Sequence, residues 1–423
     1  MNTKSAELVK LAEQKSPTRL TKSLESFAAL REGHITNVRD RLVEYGLWAK
    51  ALSEANSHIA VDDEEIAAAT DAYEEVSNHL ATNLSWPLES ISIKPQGSVS
   101  TKTLIRSPNG SEKFDIDAVC KVDISHIEAD NPTSFFESIG KALKDLEAQP
   151  KRRCWMIPFA GRRFYLEFTP SIPLNTISEQ TLYSMAPRYS VSRYRETALA
   201  VVDMPTESWK TSNSEGMSKW VNDTSERRLI RSIAMEANTY DRAAASVAPV
   251  PDQAVDITDT LRVAIRLFKR HRDMCTRRGV IDAATKPISV IIVTLLTSCY
   301  EGLSDLNRSY EHPVELLDEL ATLMPHLVLK LGGKYRVDNP TVEGENFAEK
   351  WNDDGGERYK SFMAWASALS ADLQTILSEK DPQAISKRVR EVFGIPAPTD
   401  GGNGLTTIQP PAPRATPASR GLA

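Results

Sequence analysis

An acidic pair set into an apolar strand constrains this chain more than any other feature. The segment Phe114-Asp-Ile-Asp-Ala-Val-Cys120 reads as a strand with carboxylates two residues apart. Strand side chains alternate faces, so Asp115 and Asp117 point to the same one. Two neighbouring carboxylates repel each other unless a cation lies between them. A hard divalent ion with oxygen ligands, Mg²⁺ above all, fits that role. Upstream, Ile91-Ser-Ile-Lys94 is a second strand pattern, and it ends at Gln96-Gly97-Ser98. A small Gly-Ser turn lets backbone amides and a hydroxyl approach a phosphate chain closely.

A third acid extends the pattern. Arg163-Phe-Tyr-Leu-Glu-Phe-Thr-Pro170 reads as another strand, which Pro170 is expected to end. Glu167 lies between Leu166 and Phe168, where a carboxylate is costly unless paired or metal-bound. Taken alone it reads as a strand-end carboxylate at the sheet surface; beside the acidic pair it reads as a third ligand. Asp123 shares the parity of Asp117, but six residues of strand separate them by roughly 20 Å, so it reads as an ordinary strand-end acid. The three acids and the Gly-Ser turn together describe a two-metal site for nucleotidyl transfer.

A chain of 423 residues with 41% hydrophobic content can bury a large core and is expected to form two packed units. Its formal net charge of −6 means that nonspecific binding along a nucleic-acid backbone would need a local basic patch. Arg152-Arg153 and Arg162-Arg163 flank the third acid, and Lys269-Arg270-His271-Arg272 with Arg277-Arg278 forms another basic region. Each is either a solvated helix face or the lining of a cleft for nucleoside triphosphates. Cys120, Cys154, Cys275 and Cys299 lack Cys-x-x-Cys spacing, and no second zinc-like pair follows His271 and Cys275. They read as buried free thiols in a reducing compartment. The polar start Met-Asn-Thr-Lys-Ser-Ala-Glu lacks the apolar stretch of a signal peptide, and the apolar run around Val290 to Leu296 is too short to span a membrane. A cytoplasmic protein without a membrane partner is expected.

Residues 20 to 82 read as long helices, with Leu24, Phe27, Leu30, Val38, Leu42, Val43 and Leu47 at helical spacing. Asp62-Asp63-Glu64-Glu65 is an acidic helix start. Strand patterns dominate residues 88 to 170, interrupted by an amphipathic helix over 133–146. Helices return over 257–272, 288–300, 313–324, 357–378 and 382–393, the third stopped by Pro325. The fold class is α+β: a mixed sheet core carrying the acids, long N-terminal helices and a C-terminal helical lobe. The expected units are 1–222 (catalytic core with N-terminal helices), 223–395 (helical lobe) and 396–423 (tail). The Pro- and Gly-rich tail buries too little apolar surface to offset its ordering entropy and is expected to be disordered.

The spacing of turn and acids, with further words in the helical half, resembles the cGAS/DncV-like nucleotidyltransferases of the polymerase-β superfamily. These include bacterial enzymes that make cyclic oligonucleotide signals in anti-phage defence. The matching words are Gln96-Gly-Ser-Val-Ser-Thr-Lys-Thr103, Asp115-Ile-Asp117, Glu167 where the family usually has Asp, Lys269-Arg-His-Arg-Asp273, Pro287-Ile-Ser289, and Asn339-Pro340 with Glu345-Asn-Phe347 and Trp351. The resemblance spans residues 20 to 395. It implies a polymerase-β-like, oligoadenylate-synthase-like fold and two Mg²⁺ ions, with Mn²⁺ as a substitute, on Asp115, Asp117 and Glu167. It implies nucleotide contacts from Gln96, Gly97, Ser98, Thr103, Lys269 and Ser289, with Lys269 clamping the β- and γ-phosphates.

The segment Trp209 to Gly216, with Trp220, is similar to one that approaches the base in some members, which implies base reading by Ser212 and Asn213. Ser214 stands where the family commonly has proline. The 339–351 segment is expected to be structural, closing the helical lobe with turn hydrogen bonds and an aromatic anchor. The resemblance further implies ATP and GTP or another triphosphate as substrates and a cyclic di- or trinucleotide as product. It points to no nucleic-acid activator and makes the downstream effector an indirect partner. An E1/E2-like ligase acting on the C-terminal carboxylate would make Ala423 a conjugation handle. Linear or polynucleotide-tailing synthesis and a catalytically silent nucleotide-binding scaffold are the other readings. Intact Gly97-Ser98, Asp115 and Asp117 argue against the silent scaffold.

Overall fold

The computed structural model describes residues 4–16, 35–108, 112–122, 131–185, 193–230, 253 and 255–397. Asp123, the helical positions Leu24, Phe27 and Leu30, the side chains of Val38 and Leu42, and the tail with Ala423 lie outside that description.

The N-terminal helices are α1 (Lys4–Lys15), α2 (Ile35–His58) and α3 (Asp63–Leu84). The acidic start of α3 is used as a cap: the Glu65 carboxylate accepts from the Asp62 amide at 3.4 Å. The helix then buries Ile66, Ala69, Tyr73, Val76 and Leu80 along one stripe.

The sheet region runs β1 (Ile91–Pro95), a single turn α4 (Gly97–Ser100), β2 (Phe114–Val122), α5 (Pro132–Ala142), β3 (Gln149–Pro150), β4 (Trp155–Ile157), β5 (Phe164–Pro173), α6 (Glu179–Met185), β6 (Leu199–Asp203) and β7 (Ser208–Ser212). Strand order is β1-β2-β5-β4-β3, with β6 also pairing β5 and β7 pairing β6. Only β2 and β5 run parallel, so the sheet is mixed. Helices α3 and α5 contribute Tyr73, Val76, Leu80, Phe136 and Ile139 to a buried cluster with Ile93, Ile116, Leu166 and Phe168 from the strands. Each such fully buried side chain stabilises the fold by roughly 1.5–3 kcal/mol, and together they fix the register. Because Phe114, Ile116 and Ala118 must face this core, Asp115 and Asp117 are turned away from it.

Pro170 does not end its strand, which continues to Pro173. On one edge β5 pairs β4 up to Phe168 and then β6 from Ser171. Pro170 falls in the gap between those partners, where its missing N–H breaks no ladder bond on that edge.

The helical lobe comprises α7 (Ser214–Ser225), α8 (Thr260–Arg277), α9 (Ser289–Asp305), α10 (Pro313–Leu323), a hairpin of β8 (Leu329–Leu331) and β9 (Lys334–Arg336), α11 (Glu357–Ser378) and α12 (Pro382–Phe393). Helix α8 starts later than expected, where the Asp259 carboxylate caps it by accepting from the Arg262 amide at 3.4 Å. It runs on to Arg277, since nothing before Gly279 interrupts it. Pro325 lies in a 3₁₀ turn, Met324–Leu327, directly after α10.

One expected grouping differs. Val9, Ala12, Tyr45, Trp48, Leu52 and Ala55 belong to the same buried cluster as Phe268, Leu296, Leu317 and Phe393. Helices α1 and α2 therefore pack with the helical lobe rather than with the sheet, and a 1–222 unit cuts through that core. Ser5 ties α1 to α9 by donating to the buried Glu301 carboxylate at 2.7 Å. Among the described residues no helix is long and apolar enough to cross a membrane.

Candidate active site

The Gly-Ser turn and the second aspartate are built against each other. Gly97 adopts φ +59°, and a Cβ there would sit 2.4 Å from Asp117 Oδ2. Only glycine permits both the left-handed backbone and this approach. The Asp117 carbonyl accepts from the Gln96 amide at 3.0 Å and from the Tyr73 hydroxyl at 3.0 Å, which pins the strand at that residue. The Gln96 side chain bridges outward to the Ala118 carbonyl at 3.4 Å and Thr169 Oγ1 at 3.3 Å.

The parallel register sets Asp115 opposite Tyr165 and Asp117 opposite Glu167, so the three acids share one sheet face. Burial first, then the charges of Asp115 and Glu167, push the Asp117 carboxyl well above the usual carboxylate range, while Lys269 pulls it back. Burial and Asp115 also raise Glu167, opposed by Lys151 and by a hydrogen bond with Cys154. Such crowding of carboxylates fits a hard cation in charge and in donor type. Among the described residues no group of three or more His, Cys, Asp or Glu side chains is gathered so as to hold a metal ion by itself.

A cavity of about 580 Å³ opens over Asp115 and Asp117, and Glu167 is not among the residues that line it. Gln96, Gly97, Ser98, Asp115 and Asp117 line it from the sheet, and Lys269, Arg272 and Ser289 line it from the helices. Successive basic residues of α8 grip the segment after the Gly-Ser turn. Arg262 Nε donates to the Thr101 carbonyl at 2.9 Å, Arg266 Nε to Lys102 at 2.9 Å, and Lys269 Nζ to Thr103 at 3.0 Å. Arg266, Lys269, Arg270, His271 and Arg272 are all buried, which excludes the solvated-face reading of this basic run. Burial and Arg272 lower Lys269 to about 8, against the pull of Asp115, Asp273 and Asp117. Arg272 Nη1 donates to the Pro287 carbonyl at 3.1 Å and to Ser289 Oγ at 3.0 Å, so it positions the serine at the cavity wall.

Other expected contacts fall elsewhere. Thr103 is fully buried, with its hydroxyl 2.9 Å from that of Thr101, and does not line the cavity. Ser212 lines the cavity, and Asn213 touches it, but the Asn213 amide is spent on structure. Its Nδ2 donates to the Tyr194 and Thr341 carbonyls at 3.0 and 2.9 Å, and its Oδ1 accepts from Thr197 and from the Gly216 amide, both at 2.9 Å. That amide caps α7 and has nothing left for a base.

The arginine pairs beside Glu167 are structural too. Arg152 and Arg153 donate through Nε to the buried Asp203 at 2.7 and 2.9 Å, while Arg162 lies over the Phe159 and Phe164 rings and Arg163 pairs with Glu65 at 3.2 Å. His271 contacts Asp372 at 3.0 Å and Cys275 at 3.5 Å. All four cysteines are free thiols.

The 339–351 segment is structural in part. Asn346 Oδ1 accepts from the Val337 and Ala348 amides at 2.9 and 3.0 Å, and Trp351 packs against Tyr335, Tyr359 and Phe362. Asn339, Glu345 and Phe347, however, line the cavity. Burial raises the Glu345 carboxyl, opposed by the Asn339 hydrogen bond and by Arg153. Sequence reasoning missed Glu345 and Lys286 as cavity residues, and offered Arg272 only within a basic region that either faces solvent or lines a cleft. All three lay inside or beside quoted words, but only the packing of α8, α9 and the 339–347 turn over the sheet brings them together.

No family model matches the chain. A curated c-di-GMP synthase from Roseivirga ehrenbergii is 26% identical over 310 residues, which cover 72% of this chain and 72% of that protein. The Bradyrhizobium diazoefficiens CD-NTase CdnG, solved in complex with GTP, superposes with a TM-score of 0.56 at 17% identity, covering 82% of this chain and 98% of that one. The E. coli MS115-1 CdnC structure with ATP has a TM-score of 0.51 at 14% identity, covering 82% of this chain and 97% of that one. In its fold and in the acids that its sheet sets beside the Gly-Ser turn, the chain is similar to these cGAS/DncV-like nucleotidyltransferases.

Proposed function

We propose that the chain condenses nucleoside triphosphates, GTP among them, into a cyclic dinucleotide in an Mg²⁺-dependent reaction that serves anti-phage signalling. One observation carries this reading: Asp115, Asp117 and Glu167 share a sheet face, and the cavity lined by Gly97, Asp115 and Asp117 is closed by Lys269 and Arg272. The likeness to a c-di-GMP synthase and to a GTP-bound CD-NTase supports a guanine nucleotide as substrate.

Ser98 and Lys269 hold the donor triphosphate, and Ser289 is kept in place for it by Arg272. Lys269 neutralises phosphate charge from within a buried setting, where a charge acts strongly. Asp115 and Asp117, with Glu167 beside them, would hold the divalent ions, whose chemistry is to acidify the attacking hydroxyl and neutralise the leaving pyrophosphate. Glu167, its proton affinity raised by burial, accepts the proton of the acceptor's ribose hydroxyl. The ribose oxygen bonds to the α-phosphorus as the bond to pyrophosphate breaks. A second such transfer within the linear product closes the ring. Most of the rate then comes from positioning and charge placement.

The test incubates purified protein and Mg²⁺ with each labelled triphosphate, alone and in pairs, then digests with phosphatase and nuclease P1. A phosphatase-resistant product containing guanine is expected. A phosphatase-sensitive ladder would assign linear synthesis instead, and no product from any combination would overturn the proposal.

A further inference from the structure

Three acids on the cavity wall take no part in the phosphate chemistry: Asp273 pairs with Arg272 and Lys286, Glu112 accepts from Ser107, and the third is Glu345. Glu345 lines the same cavity as Gly97 and Asp117. Its side chain is 13% exposed, and Arg153 Nη1 approaches Oε1 only to 3.7 Å. Asn339 Nδ2 donates to Oε2 at 2.7 Å. Asn339 is fixed in turn, because its Oδ1 accepts from the Thr341 amide at 2.9 Å and the Thr341 hydroxyl at 2.7 Å. Arg153 is anchored on Asp203 at 2.9 Å. The carboxylate is thus locked in place while Oε1 accepts no hydrogen bond among the described residues. An unpartnered polar atom lies on the same cavity: Ser214 Oγ is buried without a hydrogen-bond partner. A buried polar group without a partner costs about 1–3 kcal/mol, and a bound ligand that supplies the missing bond removes that cost.

The chemistry of the ligand follows from the acceptor. A carboxylate repels phosphate and accepts only from donors. Guanine places its N1–H and 2-amino group side by side, matching the two oxygens of a carboxylate. Adenine and cytosine set a ring-nitrogen acceptor beside their amino group, and uracil flanks its N3–H with carbonyls. We propose that Glu345 determines specificity by reading the N1–H and 2-amino edge of guanine, with Ser214 as a neighbouring polar contact. The proposal rests on the nucleotide-binding reading of this cavity, and the experiment separates the two.

Affinities of GTP, ITP and ATP are measured by calorimetry with Mg²⁺ for the full chain and for Glu345→Gln, and synthesis is assayed in parallel. ITP differs from GTP only by the missing 2-amino group. Glutamine keeps the size and can still accept from Asn339, but it puts a donor where an acceptor stood. The wild type is expected to bind GTP at least tenfold more tightly than ITP, and the variant to lose most of that preference while its affinity for ATP holds or rises. A GTP-to-ITP ratio unchanged by the substitution overturns the assignment. So does an equal loss for all three nucleotides, which would mark a contact to ribose or a structural role. Absence of product with selective GTP binding intact would count against the synthase reading and leave Glu345 as the guanine reader.

Discussion

Replacing Gly97 with alanine tests the central contact of the site. The new Cβ would lie 2.4 Å from Asp117 Oδ2, whereas ordinary Cβ contacts lie at 3.4–4 Å, so the carboxylate must withdraw by about 1 Å. A displacement of that size at a reacting centre costs on the order of 10²-fold in rate, or about 2.7 kcal/mol of barrier. The backbone adds its own penalty, since a non-glycine residue at positive φ costs roughly 1–2 kcal/mol of stability. Gly161→Ala separates the two effects. Gly161 has φ +74° in the loop before β5, and a Cβ there would meet nothing within 4 Å. Both variants should lose similar stability in urea titrations, but only Gly97→Ala should lose about a hundredfold in kcat for triphosphate consumption. A kcat within threefold of wild type for Gly97→Ala, with the fold intact by circular dichroism, would refute the argument that this turn positions Asp117. Equal loss of rate in both variants would refute it as well.

Asp115→Asn with Asp117→Asn should abolish synthesis while Tm in metal-free buffer holds or rises, because the mutual repulsion that raises Asp117 is relieved; a clear fall in Tm would contradict that electrostatic account. Lys269→Met should raise the apparent KM for the donor triphosphate several-fold. In the wild type KM should climb as pH passes about 8, where Lys269 loses its proton, and the variant should lose that climb. Asp203 is held at about 2, against the burial that would raise it, by Arg152, Arg153 and Thr206. Its folded value lies below the ordinary 3.8, so this stabilisation is complete above about 4 and is lost as pH falls towards 2. It amounts to about 2 kcal/mol. Asp203→Asn should therefore be less stable than wild type at pH 6, with the gap in urea midpoints narrowing below pH 4; a constant gap would place the cost in packing instead.

Much of this protein was legible because its signals are local. A period of two placed Asp115 and Asp117 on one face. Helical spacing and proline starts located α10 to α12 to within a residue or two, and Gly97-Ser98 marked the turn without any knowledge of what it touches. Where a reading failed, the cause was a partner distant in sequence. Pro170 was taken for a strand end because a single strand gives no sign of a change of neighbour along one edge. Asn213 was taken for a base reader because three of the four partners that saturate its amide, Tyr194, Thr197 and Thr341, lie far along the chain. The basic run on α8 could have been a solvated face, and became a buried grip only when the carbonyls of Thr101, Lys102 and Thr103 were brought against it.

The sequence by itself determined the strand carrying the acids, the turn before it and the helical character of the second half, because periodicity and backbone freedom belong to a few adjacent residues. Tertiary structure alone decided that Glu167 stands opposite Asp117, that α1 and α2 complete the helical lobe, and that Glu345 faces the cavity. Strand register and helix docking are set by how distant apolar faces fit together, and that complementarity leaves no trace in local spacing.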